Sequence, residues 1–380
     1  SLFFYSGGYK PMSSDQELLT LLNNRISKTT KLIKDKQADA LVIFNQANYR
    51  FLTNFSGEEA ELILTANGDR VLLSDSRFKD QIRHQVPGEM KVVMQTMDVV
   101  NEIARQLKQL DVKTVLIEGE FISATQFEAL KQACPDLNFI LSAELVETVR
   151  NIKDELELAT LQKAIDISAQ SFKEILPLIK PGVSERAIGA KLDYLFKMNG
   201  GDGPSFETII ASGYRGSWAH GVASDKKIQK GELIVIDFGS FYHGYTADIT
   251  RTVALGQVEP ELEKIYYIVL EAQKRGIAAA IAGNTGNDID QAGRNYIKEQ
   301  GYGEYFGHGI GHGIGLEVHE LCTPAMPYSK EIMKNNMAIT VEPGIYLPDL
   351  GGVRIEDDVL IKDSHPYVMS QLPKDELLIL

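Results

Sequence analysis

The second part of the chain repeats one order of elements, and this repeat constrains the fold more than any other feature of the sequence. Hydrophobic spacing, the N-cap residue Ser184 and the terminal Gly200 predict two helices, and a strand pair follows them. Pro260, placed at a helix start, opens a second set of the same order. The helices are predicted at 152–176, 184–200, 260–282 and 287–300, and the strands at 233–239, 245–254, 337–342 and 352–361. The halves are not visibly alike in sequence, so the common order alone indicates an internal duplication.

The preceding residues predict a separate α/β unit, in which helical and strand signals alternate. The dipeptide Asn67-Gly68 lies between two apolar runs and predicts a hairpin with a type I′ turn. A helix, a strand, two hairpin strands, a further strand and a helix are predicted at 15–36, 40–44, 61–65, 70–74, 115–117 and 123–134. A charged segment begins at residue 147. We therefore expect two domains, 1–146 and 147–380, of the α/β (α+β) class.

Composition excludes several classes of protein. The net charge is −13 and no run of Lys and Arg is present, so we expect no binding to nucleic acid or to an anionic membrane surface. No apolar run approaches the length that spans a bilayer, and residues 1–14 lack the features of a signal peptide, which predicts a cytoplasmic protein. Because the chain starts at Ser1 and Met12 follows soon after, we expect some of residues 1–12 to be foreign to the natural chain.

Two acidic residues occupy the strand pair of the first half. Asp237 ends an apolar strand, and Asp248 follows a turn that is rich in Gly, Tyr and His. A turn centred on Tyr242 and His243 would place the two aspartates opposite each other. Opposed side chains of an antiparallel pair have Cβ atoms about 4.5–5.5 Å apart. Two carboxylates at that separation must share a proton or bind a cation.

The strand pair of the second half repeats this arrangement with glutamates. Glu342 ends an apolar run, and Glu356 lies in the following strand. A turn near Asp349 and Leu350 would bring Glu342 opposite Glu356. We therefore expect four carboxylates to converge at a pseudo-twofold axis.

A loop rich in glycine and histidine, at 306–320, contains His308, His312 and His319. Taken singly, an acidic residue at a strand end commonly caps a turn, and a loop histidine is commonly solvated; the conjunction favours a metal site. Four carboxylates and one imidazole suit two divalent ions, and the oxygen-rich set favours Mn²⁺, with Co²⁺, Zn²⁺ and Fe²⁺ left open. Two such ions lower the pKa of a shared water and polarise a carbonyl, as hydrolysis requires.

These motifs resemble those of the M24 or pita-bread metallopeptidases, which include methionine aminopeptidase, aminopeptidase P and prolidase. The matching stretches occur in family order across residues 150–365, at 217–221, 233–239, 246–252, 312–320, 341–344 and 352–357. The resemblance implies a pita-bread fold with internal pseudo-twofold symmetry for this part of the chain.

The resemblance also implies a role for each matching residue. The implied metal ligands are Asp237, Asp248, His312, Glu342 and Glu356. Among them, Asp248 and Glu356 would contact both ions, and Glu342 would also shuttle a proton. The other implied catalytic residues are His220 near the scissile bond, His319 at the substrate carbonyl and the tetrahedral intermediate, and His308 and Arg354, which are typical of the proline-specific branch.

The N-terminal unit shows a looser resemblance, to the creatinase-type domain of aminopeptidase P and prolidase. The stretches that carry it are 49–55 and 74–78. Methionine aminopeptidases lack this domain, which disfavours that function. In the proline-specific branch the N-terminal domain of a neighbouring subunit commonly closes the site, so the resemblance implies a homodimer or a higher homo-oligomer.

The implied function is hydrolysis of the Xaa-Pro bond at the N-terminus of peptides, as in aminopeptidase P, by a hydroxide that two metal ions activate. Proline has no N–H and a fixed φ, so it cannot bind as an extended strand in other peptidases. A strict Xaa-Pro dipeptidase is the alternative; some prolidases carry an Arg soon after the His-Glu of this loop, whereas His319 to Pro324 contains none. A catalytically inactive module that binds peptides is a remoter alternative, and creatinase is disfavoured because it works without these ligands.

Overall fold

The structure, a computed structural model, describes residues 15–95 and 98–380, and for residues 321–324 it describes the backbone alone. The expectation about residues 1–12 lies outside the described residues. The chain divides into two compact units, one ending at Arg150 and one beginning at Asn151. The domain boundary after residue 146 and the cytoplasmic location stay predictions. In the described ranges, no helix is long and apolar enough to cross a membrane.

The first unit is built on a mixed sheet of six strands. Its helices are α1 (Asp15–Asp35), α2 (Gln46–Thr53), α3 (Lys79–Gln85), α4 (Val99–Leu107), α5 (Ala124–Ala133) and α6 (Leu145–Arg150). Its strands are β1 (Ala40–Ile43), β2 (Ala60–Thr65), β3 (Arg70–Ser74), β4 (Lys91–Met94), β5 (Thr114–Glu118) and β6 (Asn138–Ser142), in the sheet order β4-β3-β2-β1-β5-β6. Every residue of β1 is buried, because a central strand packs on both faces.

The hairpin predicted at Asn67-Gly68 forms between β2 and β3, but its turn is of a different type. Gly68 has a φ of 95°, whereas Asn67 is absent from the described residues with positive φ. The Gly68 N–H donates to the carbonyl of Thr65 at 3.0 Å. A type I turn followed by a left-handed glycine explains this geometry, so the predicted type I′ turn is wrong.

The second unit begins with two helices, as the repeat predicts. They are α7 (Glu155–Ile175) and α8 (Glu185–Met198). Asp154 caps α7 through a reciprocal capping box with Glu157, and the hydroxyl of Ser184 caps α8 by accepting from Ala187 N at 3.2 Å. The strands that follow are β7 (Gly203–Pro204), β8 (Ile209–Ser212), β9 (Leu233–Phe238), β10 (Ser240–Tyr242), β11 (Tyr245–Thr246) and β12 (Ile249–Ala254).

The second half repeats this order. Its helices are α9 (Pro260–Ala279) and α10 (Gly286–Glu299), and α9 begins at Pro260 as predicted. Its strands are β13 (Gly311–Gly313), β14 (Glu320–Ala325), β15 (Ala338–Val341), β16 (Gly344–Leu347), β17 (Gly351–Arg354), β18 (Asp357–Leu360) and β19 (Tyr367–Val368). The last strand, β20 (Leu378–Ile379), pairs with β12, giving one sheet of order β20-β12-β9-β8 and another of order β14-β13-β15-β18-β19. This arrangement confirms the predicted α/β fold with two similar halves.

The register of the second strand pair is the predicted one. Val341 pairs with Asp357 and Gly344 pairs with Arg354, so one continuous register runs through β15–β18 and β16–β17. Glu342 and the residue opposite it, Glu356, lie in the short gap between these two ladders. The strand pair therefore holds its two glutamates against each other.

The register of the first strand pair differs from the prediction. Asp237 pairs with Thr250 rather than with Asp248, because the turn falls one residue later than expected. His243 and Gly244 have φ values of 47° and 82°, so they form the two central positions of the turn between β10 and β11. Asp248 therefore lies two residues along the chain from Thr250, the residue opposite Asp237. Because side chains alternate between the two faces, Asp237 and Asp248 still share one face.

Candidate metal centre and its cavity

All nine predicted site residues line one cavity of the second unit, with a volume of about 640 Å³. They come from both halves of the repeat: His220, Asp237 and Asp248 from the first, and His308, His312, His319, Glu342, Arg354 and Glu356 from the second. Residues far apart in sequence thus share one concave surface, which is the form that ligand sites commonly take.

The strand pairs of the two halves are joined directly beside the carboxylates. The Glu356 N–H donates to the Thr250 carbonyl at 3.1 Å, and the Thr250 hydroxyl donates to Glu356 Oε2 at 2.6 Å. The Thr252 hydroxyl donates to the carbonyl of Arg354 at 2.9 Å. These bonds bring Asp248 of one half close to Glu356 of the other.

His312 presents one ring nitrogen to the carboxylates. Its Nδ1 lies 3.0 Å from the Gly313 carbonyl, and because a carbonyl only accepts, Nδ1 carries the proton. Its Nε2 lies 3.5 Å from Asp248 Oδ2 and 3.4 Å from Glu342 Oε1. Burial lowers the pKa of His312 to about 4, so the ring is neutral and its Nε2 lone pair faces two acids. A cation between these groups would satisfy all three.

The residue before His312 is Gly311, and the packing of the chain requires a glycine there. A Cβ atom at position 311 would lie 1.9 Å from the carbonyl oxygen of Thr340, which is inside any permitted contact. The close approach lets the Thr340 hydroxyl accept from the His312 N–H at 3.2 Å. Glycine at 311 therefore seats β13 against β15 and fixes the position of His312.

The acidic residues of the cavity are buried and crowded, so their charged forms are unfavourable. Burial and the neighbouring acids raise the pKa of Asp248 and of Glu356 well above the usual range, and burial raises the pKa of Glu342 to about 8. Two buried oxygens, Asp237 Oδ1 and Glu356 Oε1, have no hydrogen-bond partner among the described residues. Donor atoms of Asp248, His312 and Glu356 lie within 4.8 Å of one another. Unpaired oxygens and crowded carboxylates are what divalent cations bind, so the residues present fit a metal centre.

Arg354 is the cation that these acids surround. Its Nη2 donates to Asp237 Oδ2 at 2.7 Å, and its Nε donates to the Thr250 hydroxyl at 3.1 Å. Its Nη1 donates to the Ala219 carbonyl at 3.1 Å and to the Tyr346 hydroxyl at 2.9 Å. The guanidinium thus has four engaged N–H groups and holds Asp237 in place.

Tyr346 is a site residue that the sequence reasoning missed. Its hydroxyl accepts from Arg354 and lies 2.8 Å from His308 Nε2. His308 Nδ1 lies 2.7 Å from the Gly309 carbonyl and so carries the proton, and burial lowers the pKa of His308 to about 4. The Tyr346 hydroxyl therefore donates to His308 Nε2. The sequence did contain a signal for it. Tyr346 follows Glu342 by an even number of residues on a strand pair, so the two side chains are expected on the same face.

His220 and His319 occupy the exposed part of the cavity. The ring of His319 lies 4.2 Å from that of His312, centroid to centroid. Partial burial and the nearby His220 lower the pKa of His319. Both rings are therefore more accessible to a bound molecule than those of His308 and His312, which are half-buried.

The outer wall of the cavity was also missed, because it has no motif. It is mostly apolar and includes Phe206, Ile209, Val222, Val318 and Met326, with the carboxylate of Glu207 among them. These residues come from irregular segments and from the start of β8, where hydrophobic spacing predicts burial and gives no hint of a ligand.

Comparison with known proteins matches both units. Residues 159–363 match metallopeptidase family M24, and residues 25–152 match the creatinase/prolidase N-terminal domain. An Xaa-Pro dipeptidase of Pyrococcus horikoshii is 37% identical over 345 residues, which cover 90% of this chain and 95% of that protein.

Solved structures agree with this assignment. An Xaa-Pro dipeptidase from Bacillus anthracis aligns with a TM-score of 0.90 and 38% identity, covering 94% of this chain and all of that one. An X-Pro aminopeptidase from Thermotoga maritima aligns with a TM-score of 0.87 and 36% identity, covering 93% of this chain and 99% of that one. With a creatinase-type domain followed by a pita-bread domain, the chain is a metallopeptidase that belongs to family M24.

Proposed function

We propose that this metallopeptidase releases the N-terminal residue from peptides that have proline in second position, as aminopeptidase P does. The observation that carries the proposal is the cavity itself. It joins four clustered carboxylates and the neutral His312 to the hydrogen-bonded group formed by His308, Tyr346 and Arg354. Relatives named as Xaa-Pro dipeptidase and X-Pro aminopeptidase support a proline-specific activity.

Asp237, Asp248, His312, Glu342 and Glu356 would hold two divalent ions. Oxygen donors predominate, which favours Mn²⁺, while Co²⁺, Zn²⁺ and Fe²⁺ also suit a mixed oxygen and nitrogen set. When bound, the ions would polarise the scissile carbonyl and acidify the attacking water. Both orphaned oxygens of Asp237 and Glu356 would then have a partner.

The chain's own side chains supply the remaining chemistry. Glu342 lines the cavity beside His312 and would take a proton from the attacking water and deliver it to the leaving proline nitrogen. His319 is exposed in the cavity and would donate to the substrate carbonyl oxygen as charge develops there. His220 would contact the substrate on the scissile-bond side, and Arg354 would hold Asp237 through its bond of 2.7 Å.

Cleavage of longer peptides is favoured over cleavage of dipeptides. A strict dipeptidase must bind the free carboxylate that directly follows its substrate's proline, and a cation is the usual partner. Arg354 is the one Lys or Arg among the described lining residues, and its N–H groups already bind Asp237, Thr250 and Tyr346. The main chain of a longer peptide carries no charge at this position.

A strict Xaa-Pro dipeptidase is the second candidate. It is favoured by relatives with 37% and 38% identity that carry that name. For the assembly, we propose a homodimer or a higher homo-oligomer, on the similarity of residues 25–152 to the creatinase/prolidase N-terminal domain. Light scattering that gives the mass of a single chain would contradict this part of the proposal.

The test follows release of the first residue from Ala-Pro-Ala, Ala-Pro and Ala-Ala-Ala by protein loaded with Mn²⁺. Cleavage of Ala-Pro-Ala, without cleavage of Ala-Ala-Ala, is the expected result. Cleavage of Ala-Pro alone would establish the dipeptidase instead. Equal cleavage of Ala-Ala-Ala would contradict proline specificity.

A variant tests the ligand assignment. Asp248→Ala should abolish hydrolysis and weaken binding of Mn²⁺ while circular dichroism stays unchanged, since the change removes a carboxylate from the centre of the cluster. Asp166→Ala is the matched control, because Asp166 lies on α7 and is not among the cavity residues. Full activity in Asp248→Ala would contradict the dinuclear assignment.

A further inference from the structure

Glu207 is the one carboxylate that lines the described cavity and is not among the proposed metal ligands. It is exposed, and no described residue forms a hydrogen bond or an ion pair with it. Arg186 lies close enough to sense its charge, but the Arg186 guanidinium donates to Asp225 at 2.8 Å. The Glu207 carboxylate is therefore available to a molecule that enters the cavity.

The segment that carries Glu207 is anchored on α8 and borders the cavity. The next residue, Thr208, is buried, and its hydroxyl donates to Asp193 on α8 at 2.5 Å. Its neighbours on either side, Glu207 and Ile209, both line the cavity, so this segment is held by α8 at Thr208 and borders the cavity at the two flanking residues.

The strand register gives the backbone offset of Glu207 from the proposed metal ligand Asp237. Ile209 pairs directly with Asp237 across β8 and β9. Glu207 precedes Ile209 by two residues, which is about 6–7 Å along an extended chain. This backbone offset corresponds to about two residues of a substrate peptide, so a side chain within two residues of the scissile bond would come near Glu207.

The surroundings of Glu207 make its charge selective. Its neighbours in the outer wall are apolar, among them Phe206, Ile209 and Val222. An unpaired carboxylate beside apolar walls attracts a cationic side chain and repels an anionic one. The long stem of a substrate arginine or lysine would also pack against these walls.

We propose that Glu207 is a specificity-determining residue, which selects peptides with an arginine or lysine next to the Xaa-Pro bond. The inference rests on the proposed function and refines its substrate class. An exposed ion pair contributes little, so the expected preference is about two- to fivefold in kcat/KM. Salt should reduce it, because the pair is accessible to screening ions.

The experiment compares four tripeptides with the Mn²⁺-loaded enzyme: Ala-Pro-Ala, Ala-Pro-Arg, Arg-Pro-Ala and Ala-Pro-Glu. At least one arginine peptide should exceed Ala-Pro-Ala in kcat/KM. If that peptide is Ala-Pro-Arg, Ala-Pro-Glu should fall below Ala-Pro-Ala. In Glu207→Gln the arginine preference should disappear. Glu263→Gln is the matched control, because Glu263 is exposed on α9 and is not among the cavity residues; its preference should equal that of the wild type.

Several results would overturn the inference. Equal kcat/KM values for the neutral and arginine peptides would show that the cavity does not read this charge. An arginine preference that persists in Glu207→Gln would assign it to another residue. A uniform loss on all four peptides would give Glu207 a general role instead. Under each of these outcomes the wild-type enzyme still cleaves Ala-Pro-Ala, which is the separate test of the proposed function.

Discussion

Asp357→Asn tests how the second unit holds its candidate ligands, because Asp357 is fully buried and does not line the cavity. Its Oδ1 accepts from Arg251 Nη2 and from the Ser370 hydroxyl, each at 2.7 Å. Its Oδ2 accepts from Gln273 Nε2 at 2.7 Å and from Lys374 Nζ. One carboxylate thus joins β12, α9 and the C-terminal segment.

The expected loss of stability follows from the cations that asparagine would leave without a counterion. Asparagine keeps the shape of aspartate, but it loses the charge and places an amide NH₂ group among donors. Arg251 would then be buried without a counterion, and the half-buried Lys374 would lose its closest one; removal of one partner of a buried pair costs about 3–5 kcal/mol. Although burial opposes it, these two cations keep the pKa of Asp357 below its usual range. The stabilisation is therefore fully present at pH 7 and is lost only in strong acid.

The assay is denaturation by guanidinium chloride, followed by tryptophan fluorescence. Trp218 is the single tryptophan of the chain and lies in the second unit, so its signal reports on that unit. Asp375→Asn is the matched control, since Asp375 forms an ion pair with Lys274 at 2.8 Å and its side chain is 80% exposed. We expect the control to change the free energy of unfolding by less than about 0.5 kcal/mol.

The site should respond as well, because Arg251 also donates to the carbonyl oxygen of Glu356 at 2.6 Å. We expect Asp357→Asn to weaken Mn²⁺ binding, and Asp357→Asn combined with Lys374→Met to recover part of the lost stability. A loss of less than about 1 kcal/mol, equal to that of Asp375→Asn, would refute the argument that this buried ion network anchors the unit.

Three further predictions concern the cavity. Thr250→Val removes the hydroxyl that donates to Glu356 at 2.6 Å, so titration should show Mn²⁺ affinity about tenfold weaker, and unchanged affinity would contradict this role. Since His308 has a pKa of about 4 when folded and 6.5 when unfolded, its contribution to stability is present above pH 6.5 and decreases as the pH falls toward 4. Between pH 7 and 5, the free energy of unfolding of the metal-free wild type should therefore fall by about 2 kcal/mol more than that of His308→Gln. Because the pKa of Glu342 is about 8 without a metal, binding of Mn²⁺ at pH 7 should release protons, which calorimetry in buffers of different ionisation enthalpy measures; heats that do not depend on the buffer would contradict it.

The second strand pair was predictable in detail from the sequence, and the first was not. Around Glu342 and Glu356 the register depends on a turn whose position the sequence marks well, and the structure keeps it. In the first pair, His243 takes a positive φ together with Gly244, which moves the turn by one residue and gives Asp237 a different partner. Gly244 favours the second central position of such a turn, so the sequence held a signal for a centre at His243 and Gly244, one residue later than predicted.

Tertiary hydrogen bonds were beyond the reach of sequence reasoning for another reason. Tyr346 acquires its role only because Arg354 and His308 both meet its hydroxyl, at 2.9 and 2.8 Å. The buried pair of Arg251 and Asp357 lies next to the ligand motifs in sequence, but each residue alone reads as an ordinary charged side chain of a strand. Contacts between side chains that are not neighbours in one helix or strand, such as Arg251 and Asp357, 106 residues apart, leave no periodic signal.

The alternation of one strand explains why neighbouring acids behave in opposite ways. Glu356, Asp357 and Asp358 follow one another, and all three are buried. Burial and nearby acids raise the pKa of Glu356, and burial raises that of Asp358, whose Oδ2 accepts from the Asp248 N–H at 3.2 Å. Asp357 points to the other face, where Arg251 keeps its pKa low. The strand therefore places Glu356, which needs a cation, at the cavity and anchors it through Asp357, which is already paired with cations on the opposite face.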